Sequence, residues 1–156
     1  MATDFLLTLD GIRGESKDTE FLNAIIVKSW AYGATSPTDF ATKQATGQAQ
    51  FSDLTITKGL DVSSPSLLEM LGKNKTAKSA ELVCRKAGNG QKPFFRIKMK
   101  NVRVRAVATK VTPDSDEPVE TITLSYQKIE WSYKPQDEKG GLGGAVSFEH
   151  EINLNR

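Results

Sequence analysis

One long alternation constrains this chain more than anything else in it. From Phe94 to Thr109 apolar and charged residues trade places every second position, the signature of a half-buried strand. Phe95, Ile97 and Met99 share one phase, then Val102, Val104 and Ala106 share the other. The switch from odd to even positions around Asn101 predicts a β-bulge that bends the strand. Val119 to Tyr133 behaves likewise, with Ile122, Leu124 and Tyr126 followed by Ile129, Trp131 and Tyr133.

Other strands are expected at Thr3 to Leu9, Ala24 to Gly33, Asp53 to Thr57, Ala80 to Arg85 and Val146 to Leu154. Phe5, Leu7 and Leu9 share a face, and Leu82 is in phase with Cys84. In the second strand Trp30 points to the core, while Ser29, Ala31 and Gly33 form a face of small residues. In the last strand Val146, Phe148, Ile152 and Leu154 share a face with His150. Ala87-Gly88-Asn89-Gly90 predicts a hairpin turn, since Asn-Gly tolerates positive φ.

A single helix is predicted over residues 64–71. Ser64 supplies an N-cap hydroxyl, Pro65 suits the first helical position, and Gly72 stops the run. Leu67, Leu68 and Leu71 give it an apolar stripe. About two turns are not stable alone, so it must pack on something larger. Residues 35–50 are rich in Ala, Thr, Gln, Ser and Gly without useful periodicity, and loops of this length are usually functional or disordered. Bent strands joined by hairpins predict a mainly β fold, a β-barrel of two packed antiparallel sheets with one short flanking helix. The 156 residues form one domain.

The charge pattern excludes more than it proposes. A net charge of +2 does not point to a nucleic-acid or membrane partner. Cys84 is the one cysteine, so no internal disulfide is expected. The opening MATDFLLTLD reads as neither a leader peptide nor a membrane span. One histidine and one cysteine far apart make no metal-ligand set, and no metal or cofactor is expected. A nucleophilic site would need His150 as its base, and no nucleophile elbow accompanies it. Asp114 and Asp116 sit in a solvated turn. Gly140 to Gly144 precedes a strand rather than a helix, which is the wrong context for a phosphate loop. Arg96, Lys98, Lys100, Arg103 and Arg105 form a basic stripe that could track a polyanion, but no aromatic residue interleaves it for base stacking. No catalytic constellation emerges, so the chain is expected to be no enzyme and to act through its surfaces.

Several short stretches point further. They are Gly14-Glu15-Ser16-Lys17-Asp18; Val27 with Ser29-Trp30 and Gly33; Asp53-Leu54 with Thr57-Lys58; and Asp61 with Ser64-Pro65-Ser66-Leu67. Arg85-Lys86-Ala87-Gly88, Glu120-Thr121-Ile122-Thr123-Leu124 and Tyr133-Lys134-Pro135-Gln136 follow. In this order, over nearly the whole chain, the sequence resembles the haemolysin-coregulated protein family, Hcp, the tube protein of bacterial type VI secretion systems. His150 departs from the pattern, since some members carry an aromatic such as tryptophan there.

The resemblance implies a barrel that closes into hexameric rings, with rings stacking into a tube inside a contractile sheath and behind a spike protein. It implies residence in the cytoplasm and then export through the type VI apparatus without a signal peptide, with effector proteins carried in the lumen. Ser29 and Ala31 would face that lumen. Gln44, Thr46, Gly47 and Gln48, in the loop that in the family reaches toward an adjacent ring, would mediate stacking. With the sequence running to Arg156 just after its last expected strand, no C-terminal toxin extension of the kind some members carry is expected. A domain of this length has a diameter of roughly 40 Å, and six in a ring leave a hole of about that width. The alternative is a monomeric β-barrel that binds polyanions through the Arg96–Arg105 stripe.

Overall fold

Phase switches in the two longest alternations become corners of the fold. A computed structural model describes residues 3–45, 47–88, 91–135 and 144–152. In chain order the elements are β1 (Thr3–Leu9), β2 (Ile25–Val27), β3 (Ser29–Ala31), β4 (Ala34–Thr35), β5 (Gln50–Phe51) and β6 (Leu54–Gly59). Then come α1 (Ser63–Gly72), β7 (Thr76–Lys86), β8 (Pro93–Lys110), β9 (Val119–Ser125), β10 (Lys128–Tyr133) and β11 (Val146–Glu151). The class is the expected one, mainly β with one helix. Asn89 and Gly90, the centre of the expected hairpin turn, and most of the Gly140–Gly144 stretch lie outside the described residues.

β8 is the spine. Asn101 has φ 53°, a left-handed conformation that asparagine tolerates better than most residues. It swaps the buried phase from Ile97 and Met99 to Val102 and Val104. On one side β8 runs against β7. On the other, Phe95 to Lys100 pair with β10, while Arg103 to Lys110 pair with β9. One strand thus serves two diverging branches. The register shift itself lies between Val104 and Ala106. Alternation alone would bury Ala106; this second irregularity turns it outward and brings Val107 halfway in.

The main sheet has nine antiparallel strands in the order β2-β1-β7-β8-β9-β6-β3, with β10 and then β11 branching from β8. Its two ends, β2 and β3, are consecutive pieces of one segment broken only at Lys28. β2 pairs with β1 and β3 pairs with β6. The expected barrel is therefore not closed by strand pairing. The covalent chain makes the seam, helped by Lys28 N donating to Thr57 O at 2.7 Å. The second sheet is the hairpin β4–β5 alone.

Inside the wrap, Leu7, Ile25, Ile56, Leu82, Ile97 and Leu124 are fully buried. Trp30 closes one end of this core. It stacks on Phe95 at 5.8 Å and meets Trp131 edge-on at 6.4 Å. A second, smaller cluster of Leu6, Ala24 and Val83 with Phe21 lies apart from this core, where the loop after β1 folds back. Gly14 makes that fold-back possible: a Cβ there would stand 2.4 Å from the carbonyl oxygen of Ala24.

The helix departs from expectation in two ways. It begins at Ser63, so Ser64 lies inside it and is no N-cap; Asp61 Oδ1 instead accepts from Ser63 N at 2.9 Å. Its buried face is Ser63, Leu67 and Met70, with Leu71 half-buried and Leu68 exposed. Lys58 pins this helix to the sheet. It belongs to β6, in the buried phase of Leu54 and Ile56, and is fully buried. Its ammonium lies 2.6 Å from Glu120 Oε1, 2.9 Å from Asp61 Oδ1 and 3.1 Å from Ser64 Oγ. Ser64 Oγ donates to the same Glu120 oxygen at 2.6 Å, and Thr109 donates to Oε2 at 3.1 Å. Burial by itself raises the Glu120 carboxyl. The hydrogen bonds from Lys58, Ser64 and Thr109 and the Lys58 charge outweigh it, leaving the group below its usual range.

A carboxyl held low in the folded state contributes stability that is complete above its unfolded value and lost as pH falls through the folded one. Urea unfolding of the wild type should therefore weaken progressively below about pH 4.5. Lys58→Met leaves Glu120 and Asp61 with no buried cation and should cost about 3–5 kcal/mol at neutral pH. The same variant should lose less than the wild type on acidification.

Candidate functional site

Residues 35–50 are not a structureless loop. β4 and β5 form the root of a hairpin arm, and an isolated bridge joins Thr38 to Ala45. The tip is held by Asp39, whose carboxylate accepts from Ala41 N at 3.0 Å and Thr42 Oγ1 at 3.1 Å. Lys43, at φ 61°, sets its ammonium 4.2 Å from the centre of the Phe40 ring. Every described residue from Ala34 to Gln50 is exposed, and Phe40 is 86% exposed. With neither face buried, the arm carries no hydrophobic period to read. Gln44, Gly47 and Gln48 lie on it, exposed. Thr46 lies outside the described residues.

The root of the arm is built more firmly than its tip. Ser52 N donates to Gly33 O, and Gly33 N donates to Ser52 Oγ, both at 2.8 Å. Tyr126 Oη donates to Ser52 O at 2.7 Å and bonds Tyr32 Oη at 2.9 Å. Burial, together with the neighbouring Tyr32, drives the Tyr126 hydroxyl well above its usual range, so it remains a donor. Phe51 stacks on His150 at 4.0 Å and on Phe148 at 6.0 Å. His150, the possible base of the sequence, is thus a packing partner of the arm.

β11 is the second feature. Among the described residues it pairs with β10 alone, and no strand lies on its outer edge. Alternation predicts Val146, Phe148 and Ile152 on a core-facing side. They are instead 67%, 50% and 40% exposed. A period of two marks a face that needs covering and does not say what covers it.

The third feature is β3. Trp30 turns inward, and Ser29 and Ala31 are exposed on the other face, as alternation requires. The basic stripe is also on one surface, but carboxylates break it up. Arg96 lies 3.1 Å from Glu81, Arg105 lies 2.6 Å from Asp53, and Lys98 is the cross-strand partner of both Glu81 and Glu130. Among the described residues no cluster of three metal-ligating side chains exists, and no helix is long and apolar enough to cross a membrane.

A mainly β wrap with one flanking helix, an exposed hairpin arm and an open apolar edge is the frame in which the motifs sit. The family model described as "Type VI secretion system effector, Hcp" matches residues 6–133. The chain belongs to the Hcp family. It is similar to Protein hcp1 of Pseudomonas aeruginosa, with 30% identity over 99% of this chain and 98% of the relative. Among solved structures it is similar to one described as that of a type six secretion system protein. The TM-score is 0.89 and the identity 29%, over 99% of both chains. Hcp1 from Salmonella typhimurium is similar at TM-score 0.78 and 27% identity, over 97% of this chain and 95% of that one.

Within this Hcp chain, the separated motifs meet as two buried ionic networks. Lys58, Asp61, Ser64 and Glu120 form the first. Arg85 forms the second: it is buried, bonds Asp18 at 2.8 Å and Asp4 at 3.4 Å, and lies 5.6 Å from the centre of the Phe21 ring. Hydrogen bonding to Asp18 raises the guanidinium further, so its charge is permanent. Asp18 Oδ2 in turn accepts from Glu20 N and Phe21 N, which fixes the loop after β1. Motif residues therefore hold the frame, while the exposed arm and edge lie mostly outside them. A signal for the first network was present: Lys58 continues the buried phase of β6, and Glu120 continues that of Ile122 and Leu124.

Cys84 is buried beside Trp30, and burial pushes its thiol up to about 11, with the Trp30 contact pulling weakly the other way. Native protein at pH 8 should resist a thiol-specific chromogenic reagent, and one thiol per chain should react once denaturant is added. Rapid native labelling would contradict this packing.

Proposed function

We propose that this chain is a structural subunit of the type VI inner tube. It forms hexameric rings that stack, are exported with the tube, and carry effector proteins in the lumen. The observation that carries this reading is the open edge of β11. An edge strand with Val146 and Phe148 half or more exposed, and Ile152 exposed just beyond it, is an aggregation hazard for a monomer and an asset for a protein that joins copies of itself. A surface that meets a different surface on the next copy closes into a ring when the rotation permits. Membership of the family supports a ring of six and a tube as the form of this assembly.

The arm suits contact between rings. It is exposed along its length yet anchored at Ser52 and Phe51, so it can reach outward without disturbing the wrap. The small side chains of Ser29 and Ala31 suit a lumen wall, where bulk would narrow the passage. Spike protein, sheath and effectors are the further partners, and passage through the hole rather than bond-making is the activity.

Light scattering should give the mass of a ring rather than of one 17.1 kDa chain, and negative-stain images should show annular particles. Removing residues 36–49 should leave rings intact and abolish longer stacks; rings that fall apart would assign the arm to ring closure instead. Ala31→Arg should leave assembly unchanged and reduce co-purification of effectors. Unchanged co-purification would remove Ala31 from the lumen.

A further inference from the structure

The root of the arm carries the one histidine of the chain. Its backbone is held by bonds among neutral groups: Ser52 N to Gly33 O, Gly33 N to Ser52 Oγ, and the Tyr126 hydroxyl to Ser52 O. These fix where the arm starts and leave its direction to side chains. Every described residue from Ala34 to Gln50 is exposed, so the purchase of the arm on the wrap is at Phe51. That ring lies 4.0 Å from the His150 imidazole, with the planes 25° apart, and 6.0 Å from Phe148.

His150 is half-buried, so an imidazolium there keeps part of its water. Its cross-strand neighbour on β10 is Ile129. Glu149 and Glu151 on β11, and Glu130 and Lys128 opposite them on β10, alternate to the other face of the ladder. Lys128 and Glu149 lie 3.5 Å apart on that face. On the arm side, Asp53 is taken by Arg105 at 2.6 Å, and the Tyr32 and Tyr126 hydroxyls bond each other. No carboxylate of these elements therefore faces the imidazole, and what it meets is the Phe51 ring. A cation within about 6 Å of a ring centre is drawn to the electron-rich face. A neutral imidazole in the same place has only the weaker stacking contact.

We propose that His150 is a proton-operated clamp on the arm: charged, it grips Phe51 and holds the arm in one direction; neutral, it lets the arm swing about Ser52. The sign follows from linkage. The held arm favours the charged imidazole, so the extra grip is present at acid pH and is lost as the proton leaves. Histidine is the side chain that ordinarily changes charge between about pH 5 and 8, and the chain has no second one. The clamp itself requires no assembly. Its consequence rests on the stacking reading above: an arm already pointed along its contact loses less freedom on binding, so stacks lengthen on mild acidification.

A nitroxide attached at Gln44→Cys tests it, since Cys84 is buried and does not compete for the label. Circular dichroism verifies the fold at about pH 5.5 and pH 8, on either side of the ordinary histidine range. In the otherwise native chain the ratio of mobile to held arm should rise about 2- to 5-fold between the two. His150→Phe keeps the stack but takes no proton, and the ratio should then be the same at both. With Phe51→Leu it should be high at both. A spectrum that ignores pH in the otherwise native chain, or a response that survives His150→Phe, would overturn the clamp. A probe response with stack length unchanged, read by light scattering, would leave the clamp standing and overturn the stacking role of the arm.

Discussion

A lysine with no access to water is the constraint around which the fold is arranged. Lys58 continues the core-facing phase of β6, and an uncompensated ammonium in that position would be intolerable. Glu120 answers it from the paired strand β9, while Asp61 and Ser64 answer from the start of the helix. One cation thereby ties β6, β9 and α1 together at fixed distances. A two-sided greasy contact would hold the helix as well but would not set its position along the strand so sharply.

The second network does for the other side of the sheet what the first does for the helix. Arg85 draws Asp4 and Asp18 onto β7, and the Asp18 backbone bonds shape the loop that covers Leu6 and Val83. With both networks in place, the wrap keeps its form although no strand ladder crosses the seam at Lys28. The edges can then be left open. Ends that carry partly exposed apolar side chains are poor features for a solitary domain.

Much of the frame was legible from residue order. Alternation located β1, β6 and most of β8 to β10, and the switch at Asn101 marked where the buried phase of β8 changes, although the register shift lies further on, between Val104 and Ala106. Ser29 and Ala31 fell on an outer face because Trp30 between them had to turn in. Other features were hidden for identifiable reasons. The hairpin arm has no buried side and so no period. The helix runs one residue further at each end than expected, and its Ser64 hydroxyl is drawn into the Lys58 network instead of capping. Leu68 looks like its neighbours in composition, yet the buried stripe steps from Leu67 to Met70.

What residue order settled by itself was the class of the fold, the phase of most strands and the motif pattern that marks the family, because these depend on local periodicity and on side chains read one at a time. What only the folded chain decided was which alternating faces became interior and which stayed bare. β11 carries as regular a period as β1, but β1 lies between two strands with the core beneath it, and among the described residues β11 has a strand on one side only. Burial is a property of what lies next door in space, and no amount of regularity along the chain supplies the missing neighbour.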